Sequence, residues 1–231
     1  MSNGYGGLAE SVVLATDVAR TFGSGPTAVV AVHGASCLVR AGDMIALTGP
    51  SGSGKTTLLH LLAGLDAPTA GTIHWPAIGT RDHLRPGPIA IVFQAPSLLA
   101  PLDILENVSL PLLLQGIDRS IACEMALGAL RQLDLESLSA KLPEEISGGQ
   151  AQRVAVARVL AGQPRLILAD EPTGQLDHTS GAVVVDALIA AATTTGAALI
   201  VNTHDAAVAG RLELLWSMTN GRLITKGPAS C

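Results

Sequence analysis

Residues Gly49–Thr56 read Gly-Pro-Ser-Gly-Ser-Gly-Lys-Thr and match G-x-x-x-x-G-K-[ST] in full. An apolar run, Met44–Thr48, precedes them, and a Leu-rich segment follows that closes near Gly64. The order is therefore strand, glycine loop, helix. With 25 Gly, three Lys and 32 Ser plus Thr in the chain, about 0.005 accidental matches are expected. Glycines let successive backbone N–H groups turn inward on phosphate oxygens, and the helix starting near Gly54 adds its positive end. The candidate anion cradle is Gly49, Pro50, Ser51, Gly52, Ser53, Gly54, Lys55, Thr56 and Thr57. Lys55 supplies a mobile cation for the β- and γ-phosphates, and the Thr56 hydroxyl can ligate Mg²⁺.

Composition excludes other classes. The 231 residues make one large domain or two small ones. A net charge of −5 argues against binding nucleic acid through a basic surface. Five aromatic residues (Tyr5, Phe22, Trp75, Phe93, Trp216) are too few for a base-stacking platform. Cys37, Cys123 and Cys231 are scattered and form no CxxC or Cys/His cluster, so neither a disulfide framework nor zinc is expected. Met1–Glu10 has no basic region followed by an apolar core, so no signal peptide is expected. Ala187–His204 is 18 residues without Asp, Glu, Lys or Arg. Thr193-Thr194-Thr195-Gly196 interrupts it, so it reads as buried helix, turn and buried strand rather than a membrane span. The chain reads as soluble.

Further buried strands are expected at Ile89–Phe93, Leu166–Ala169 and Ala198–Thr203, a helix at Ala182–Ala192, and helical periodicity from Pro96 to about Gly162. Strands alternating with helices give an α/β fold with a parallel sheet, and the middle segment is a helical insertion. The strand at Leu166 ends in Asp170-Glu171. Ligands in such sheets sit at the carboxyl ends of the strands. Asp170 can there hold Mg²⁺ while Glu171 polarises a water for attack on the γ-phosphate. Ser147-Gly148-Gly149-Gln150 opens an amphipathic helix and reads either as a plain helix cap or as a second set of phosphate-facing N–H groups.

Taken together, the motifs resemble the ATP-binding subunits of ABC (ATP-binding cassette) transporters over nearly the whole length. The phosphate loop, Val92-Phe93-Gln94, Ile146-Ser147-Gly148-Gly149-Gln150, the strand ending in Asp170-Glu171, Gly174-Gln175-Leu176-Asp177 and the His204 turn stand in family order. Segments from Gly64, Glu106 and Ala169 are similar to the branch of lipoprotein-release, macrolide-export and cell-division ATPases. Departures are Ile146 for Leu, Ala151 for Gln, Gln175 for Asn, and Asn202 where Val is frequent.

The resemblance implies a P-loop NTPase with a RecA-like parallel sheet core, an N-terminal antiparallel β subdomain and a helical insertion. The whole of 1–231 would be one domain, with 8–95 and 160–231 as core and 96–159 as the helical part. ATP and Mg²⁺ are the implied cofactors. Two subunits, read as a homodimer, would sandwich each ATP between one chain's loop and the other's Ser147–Gln150 turn. Catalysis would fall to Lys55, Gln94, Glu171 and His204; Thr56, Gln94 and Asp170 would serve the metal. Phe22 would stack on adenine, and Asp177 would act across the dimer. Plainer roles stand beside these: Phe22 as a core aromatic, Asp177 as a helix cap, Gln94 and His204 as polar strand ends. A separate permease would hold the chain at the inner face of the cell membrane, touching the cleft beside Gln94 and Ala95–Val108. The competing reading is a regulatory or mechanical ATPase on a membrane complex. A chromosome-organising ATPase would need a long coiled coil, for which there is no room between Gly54 and Ser147.

Overall fold

The structure, a computed structural model, describes residues 10–226. Most of the N-terminal segment considered for a signal peptide, and Cys231, lie outside them. Among the described residues the order is β1 (Ser11–Phe22), β2 (Val29–Arg40), β3 (Met44–Thr48), α1 (Lys55–Leu62), β4 (Ala70–His74), β5 (Ile89–Val92), α2 (Ile104–Leu114), α3 (Arg119–Arg131), α4 (Gly148–Gly162), β6 (Leu166–Asp170), α5 (His178–Thr195), β7 (Ala198–Asn202), α6 (Ala206–Ala209), β8 (Leu214–Thr219) and β9 (Arg222–Lys226).

Six strands form the main sheet in the order β5-β6-β7-β3-β8-β9, parallel except for β9. A separate antiparallel sheet, β2-β1-β4, packs against it through a shared core. This is the α/β architecture that the strand-helix alternation predicts.

The strands read as unbroken apolar runs because both faces are covered. Side chains alternate between the faces. Met44, Ala46, Ile167, Ala169, Leu199 and Val201 pack into one core with α2, α3, α4 and α5. Ile45, Leu47, Leu166, Leu168, Ala198 and Ile200 pack into a second core with α1 and the antiparallel sheet. Cys37 belongs to the second core, and burial pushes its thiol up to about 12.

Two segments differ from the sequence reading. The Thr193–Thr195 run is not a turn: α5 continues through it, and each hydroxyl donates at 2.8 Å to the carbonyl four residues earlier. Gly196, left-handed at φ 68°, ends the helix. Residues 96–103 are not helical. Pro96 and Pro101 disfavour a helix there. The buried Asn107 side chain replaces backbone bonds instead: its Nδ2 donates to Leu99 O, Leu102 O and Asp103 O, and its Oδ1 accepts from Leu99 N. Helix α2 then starts on a reciprocal cap between Asp103 and Glu106. No described helix is long and apolar enough to cross a membrane.

Candidate functional site

The carboxyl ends of β3, β5, β6 and β7 lie on one edge of the sheet and carry the phosphate loop, Gln94, Asp170-Glu171 and Asn202-His204 in turn. The loop backbone is shaped by its neighbours. A Cβ on Gly49 would stand 2.1 Å from Met218 O, and one on Gly54 2.1 Å from Ala31 O, so both positions exclude any side chain. Lys55 is buried, and its Nζ donates to Gly49 O at 2.8 Å and Pro50 O at 2.9 Å. The loop's own carbonyls thus hold the cation until an anion competes for it.

A cavity of about 390 Å³ opens over the loop, lined by Ala31, Gly52, Lys55, Thr56, Gln94, Glu171 and Asn202 among others. Ser51, Gly54 and Thr57 also border it. Ser53 turns inward, its hydroxyl buried and without a partner. Asp170 closes β6 and is 8% exposed; its Oδ1 accepts from the Thr56 hydroxyl at 3.2 Å and from Asn202 Nδ2. A hydroxyl beside a carboxylate is a hard-oxygen donor set, suited to a small divalent cation that keeps part of its water shell.

Glu171 follows with a left-handed backbone, φ 46°, held by its N–H donating to Asn202 O at 3.0 Å. Non-glycine residues rarely adopt this conformation, and it turns the side chain out of the strand. Glu171 Oε2 lies 3.3 Å from His204 Nδ1, so the two residues meet although 33 positions apart in sequence. A methyl on Gly174 would sit 3.5 Å from Glu171 Oε2 and 3.6 Å from Gln94 Nε2, so that turn closes on both side chains.

The other sequence candidates stand outside this cavity. Phe22 ends β1 with an exposed ring, so it is not a core aromatic. The Arg20 guanidinium lies 4.6 Å from the ring centroid, and Phe22 pairs with Val29, which does line the cavity. Asp177 caps α5, accepting from Ser180 N at 3.0 Å and Ser180 Oγ at 2.7 Å. It shares a second cleft with Gly174, His204 and Arg211. Ser147 caps α4 reciprocally with Gln150: Gln150 N donates to Ser147 Oγ at 3.2 Å, and Ser147 N donates to Gln150 Oε1 at 2.8 Å. Neither Ser147, Gly148, Gly149 nor Gln150 lines the phosphate cavity of its own chain.

Two residues escaped the sequence reading. Gln152 is buried, and its Nε2 donates to Phe93 O at 3.0 Å. The signal was present, since a glutamine stands on the apolar stripe of α4 with Ala155, Val156 and Val159. Arg158, whose guanidinium pKa burial lowers, donates to Asn107 O, Asn107 Oδ1 and Ser97 O. It ties α4 to the segment after Gln94.

The profile of the family "ABC transporter" matches residues 32–174. The chain belongs to the ABC transporter family. The lipoprotein-releasing system ATP-binding protein LolD of Legionella pneumophila (strain Paris) is 39% identical over 214 residues, covering 90% of this chain and 94% of that protein. The protein of the same name from Gluconobacter oxydans (strain 621H) is 40% identical over 212 residues, covering 89% and 92%. Among solved structures, a dimeric ATP-binding cassette in a post-hydrolysis state, bound to ADP and Pi, superposes with a TM-score of 0.86 at 32% identity, covering 95% of this chain and all of that one. The chain is thus an ABC ATPase subunit with the P-loop NTPase fold, and its cofactor is ATP.

Proposed function

We propose that this ABC ATPase works as a pair of copies that close on Mg²⁺-ATP and drive a separate membrane permease. The observation that carries this reading is the split of the site. Loop, Asp170, Glu171 and His204 converge within one chain, whereas the Ser147–Gln150 turn faces elsewhere. One chain alone leaves the γ-phosphate side open to water. A second chain's turn would add N–H donors there and exclude water as charge develops. The dimeric form of the solved cassette supports the pairing.

In this scheme the loop N–H groups and Lys55 grip the phosphates, Lys55 exchanging Gly49 O and Pro50 O for phosphate oxygens. Thr56 and Asp170 would hold Mg²⁺, with Gln94 completing its surroundings. When bound, the ion offsets the charge on the β- and γ-oxygens. Glu171 takes the proton of the attacking water, and His204 keeps that carboxylate aimed. Phe22 stacks on adenine from the edge of the cavity, and Asp177 works across the pair. The fitting division is a single cassette, with 8–95 and 160–231 as core and 96–159 as the helical part.

An apolar cleft between the β5 edge and α2, lined by Ile89, Ile91, Leu110 and Leu114, offers the permease a seat next to residues 95–108. Leu114 is exposed there, and Leu99 is exposed in the neighbouring segment. Held this way, the chain works at the inner face of the cell membrane. The named relatives support a role in lipoprotein release or a similar export.

The test is ATPase rate against protein concentration, with and without a chelator. Specific activity should rise with concentration as pairs form and vanish when the metal is removed. A specific activity constant down to provably monomeric dilution would reject the shared site.

A further inference from the structure

The parallel register of β6 and β7 pairs Asp170 with Asn202, so the two side chains leave the sheet on the same face. Asn202 is 1% exposed. Its Nδ2 donates to Asp170 Oδ1, the oxygen that also accepts the Thr56 hydroxyl. Its main-chain carbonyl accepts the Glu171 N–H. One residue therefore holds the Asp170 carboxylate by its side chain and the Glu171 backbone by its own carbonyl.

Its amide oxygen tells more. Asn202 Oδ1 is buried and has no partner, yet Asn202 lines the phosphate cavity. Reversing the amide would set its oxygen against the Asp170 carboxylate, so the donor must face Asp170 and the acceptor is left over. A buried acceptor without a donor is costly in a strand position where an apolar residue would pack. The leftover acceptor is therefore available to a donor bound in the cavity. Mg²⁺ sheds its hydration reluctantly and carries waters into protein sites, and each such water is a donor.

We propose that Asn202 is a positioning residue for the metal of the bound nucleotide. Its amide N–H fixes Asp170 Oδ1, and its amide oxygen accepts a hydrogen bond from a water of the metal's shell. The proposal rests on the Mg²⁺ reading above and adds to it a residue that shapes the outer coordination. Outer-shell partners of this kind change metal affinity by about 10–100-fold.

Asn202→Val and the near-isosteric Asn202→Leu test it in the full chain. Mn²⁺ binding in the presence of ADP is read by electron paramagnetic resonance, and ADP binding in chelator by calorimetry. Thermal unfolding without ligand checks the fold, and whichever variant melts like wild type is used. Mn²⁺ affinity should fall by about tenfold, with metal-free ADP affinity unchanged. The Mg²⁺ concentration for half-maximal ATPase should rise in parallel. Mn²⁺ binding equal to wild type would overturn the proposal, as would an equal loss of ADP affinity with and without metal, which marks a merely structural role. Destabilisation of both variants before any ligand is added would equally assign Asn202 to structure. If wild type itself binds Mn²⁺-ADP no better than ADP, the Mg²⁺ reading fails, and that result is distinct from a failure of Asn202 alone.

Discussion

Gln152 Nε2, on the helix that Ser147 opens, donates at 3.0 Å to the main-chain carbonyl of Phe93, the residue before Gln94. The helix opened by the Ser147–Gln150 turn and the strand end that leads into Gln94 are therefore joined by a hydrogen bond. Arg158 makes a parallel tie from α4 to Ser97 and Asn107. These ties link α4 to the segment that contains Gln94.

Replacing Gln152 by Leu removes the donor and leaves Phe93 O unmatched, at a cost of about 1–3 kcal/mol. ADP binding to the single chain should persist, because the phosphate loop is untouched. ATPase activity should drop by about tenfold or more, as closure no longer sets Gln94. Steady-state ATPase assays beside ADP calorimetry check this; full activity would mean that Phe93 is held by other contacts.

Lys55 is the only cation in the loop. Lys55→Ala deletes charge-assisted bonds to phosphate worth about 1.5–3 kcal/mol, or roughly 10–150-fold in affinity. Calorimetry with ATP should register a loss of that size. An unchanged dissociation constant would mean the backbone N–H groups alone hold the nucleotide.

For Glu171 the expectation separates binding from chemistry. Glu171→Gln keeps the shape and, in the proposed scheme, removes the proton acceptor and a negative charge next to the γ-phosphate. Turnover should fall by about 10²–10⁴-fold, while ATP is retained and pairs of chains accumulate. Light scattering after gel filtration in ATP detects the pairs; hydrolysis at the wild-type rate would reassign the base.

How far the sequence was legible follows from what each signal depends on. Met44–Thr48, Leu166–Asp170 and Ala198–Asn202 stand out because burial on both faces leaves an unbroken apolar run. Leu214–Thr219 and Arg222–Lys226 are not legible as strands, because the first is only half-buried and the second is a largely exposed edge strand, both with mixed polarity. Residues 96–103 carry apolar residues at helical spacing, but a side chain from α2 decides their path. Within the site, Gly49–Thr56 and Asp170-Glu171 are contiguous and therefore readable. The Asn202–Asp170 bond is a product of strand register across 32 positions, so the sequence presents Asn202 only as an unusual neighbour of His204.

Asp177 gives a pH test. The Ser180 N–H, and then the Ser180 hydroxyl, hold its carboxyl below the ordinary range. A pKa lower in the folded than in the unfolded chain means that the cap's contribution is present above the unfolded value of about 4. It is lost as pH falls through the folded value. Asp177→Asn keeps a capping oxygen that does not titrate. The difference in urea midpoint between wild type and variant should therefore be constant from pH 7 to about 5 and shrink below about 4. A difference that persists at pH 3 would show that the cap is not charge-dependent.

Ser147 caps its own helix and, in the proposed pair, would also meet another chain's phosphates; a single substitution parts the two roles. Ser147→Arg loses the cap, costing about 1 kcal/mol of helix stability. That is a small fraction of the stability of a domain this size, so the chain should fold and bind ATP as a monomer with wild-type affinity. A bulky guanidinium in place of the hydroxyl blocks the approach of a second chain, and ATPase activity should fall to background. Arg is also a cation, so if the turn merely needed positive charge near the nucleotide, hydrolysis would survive. Activity assays on Ser147→Arg, read beside its ATP affinity and its unfolding temperature, distinguish these outcomes. Normal hydrolysis with normal stability would remove the Ser147–Gln150 turn from the site and leave one chain to do the chemistry alone.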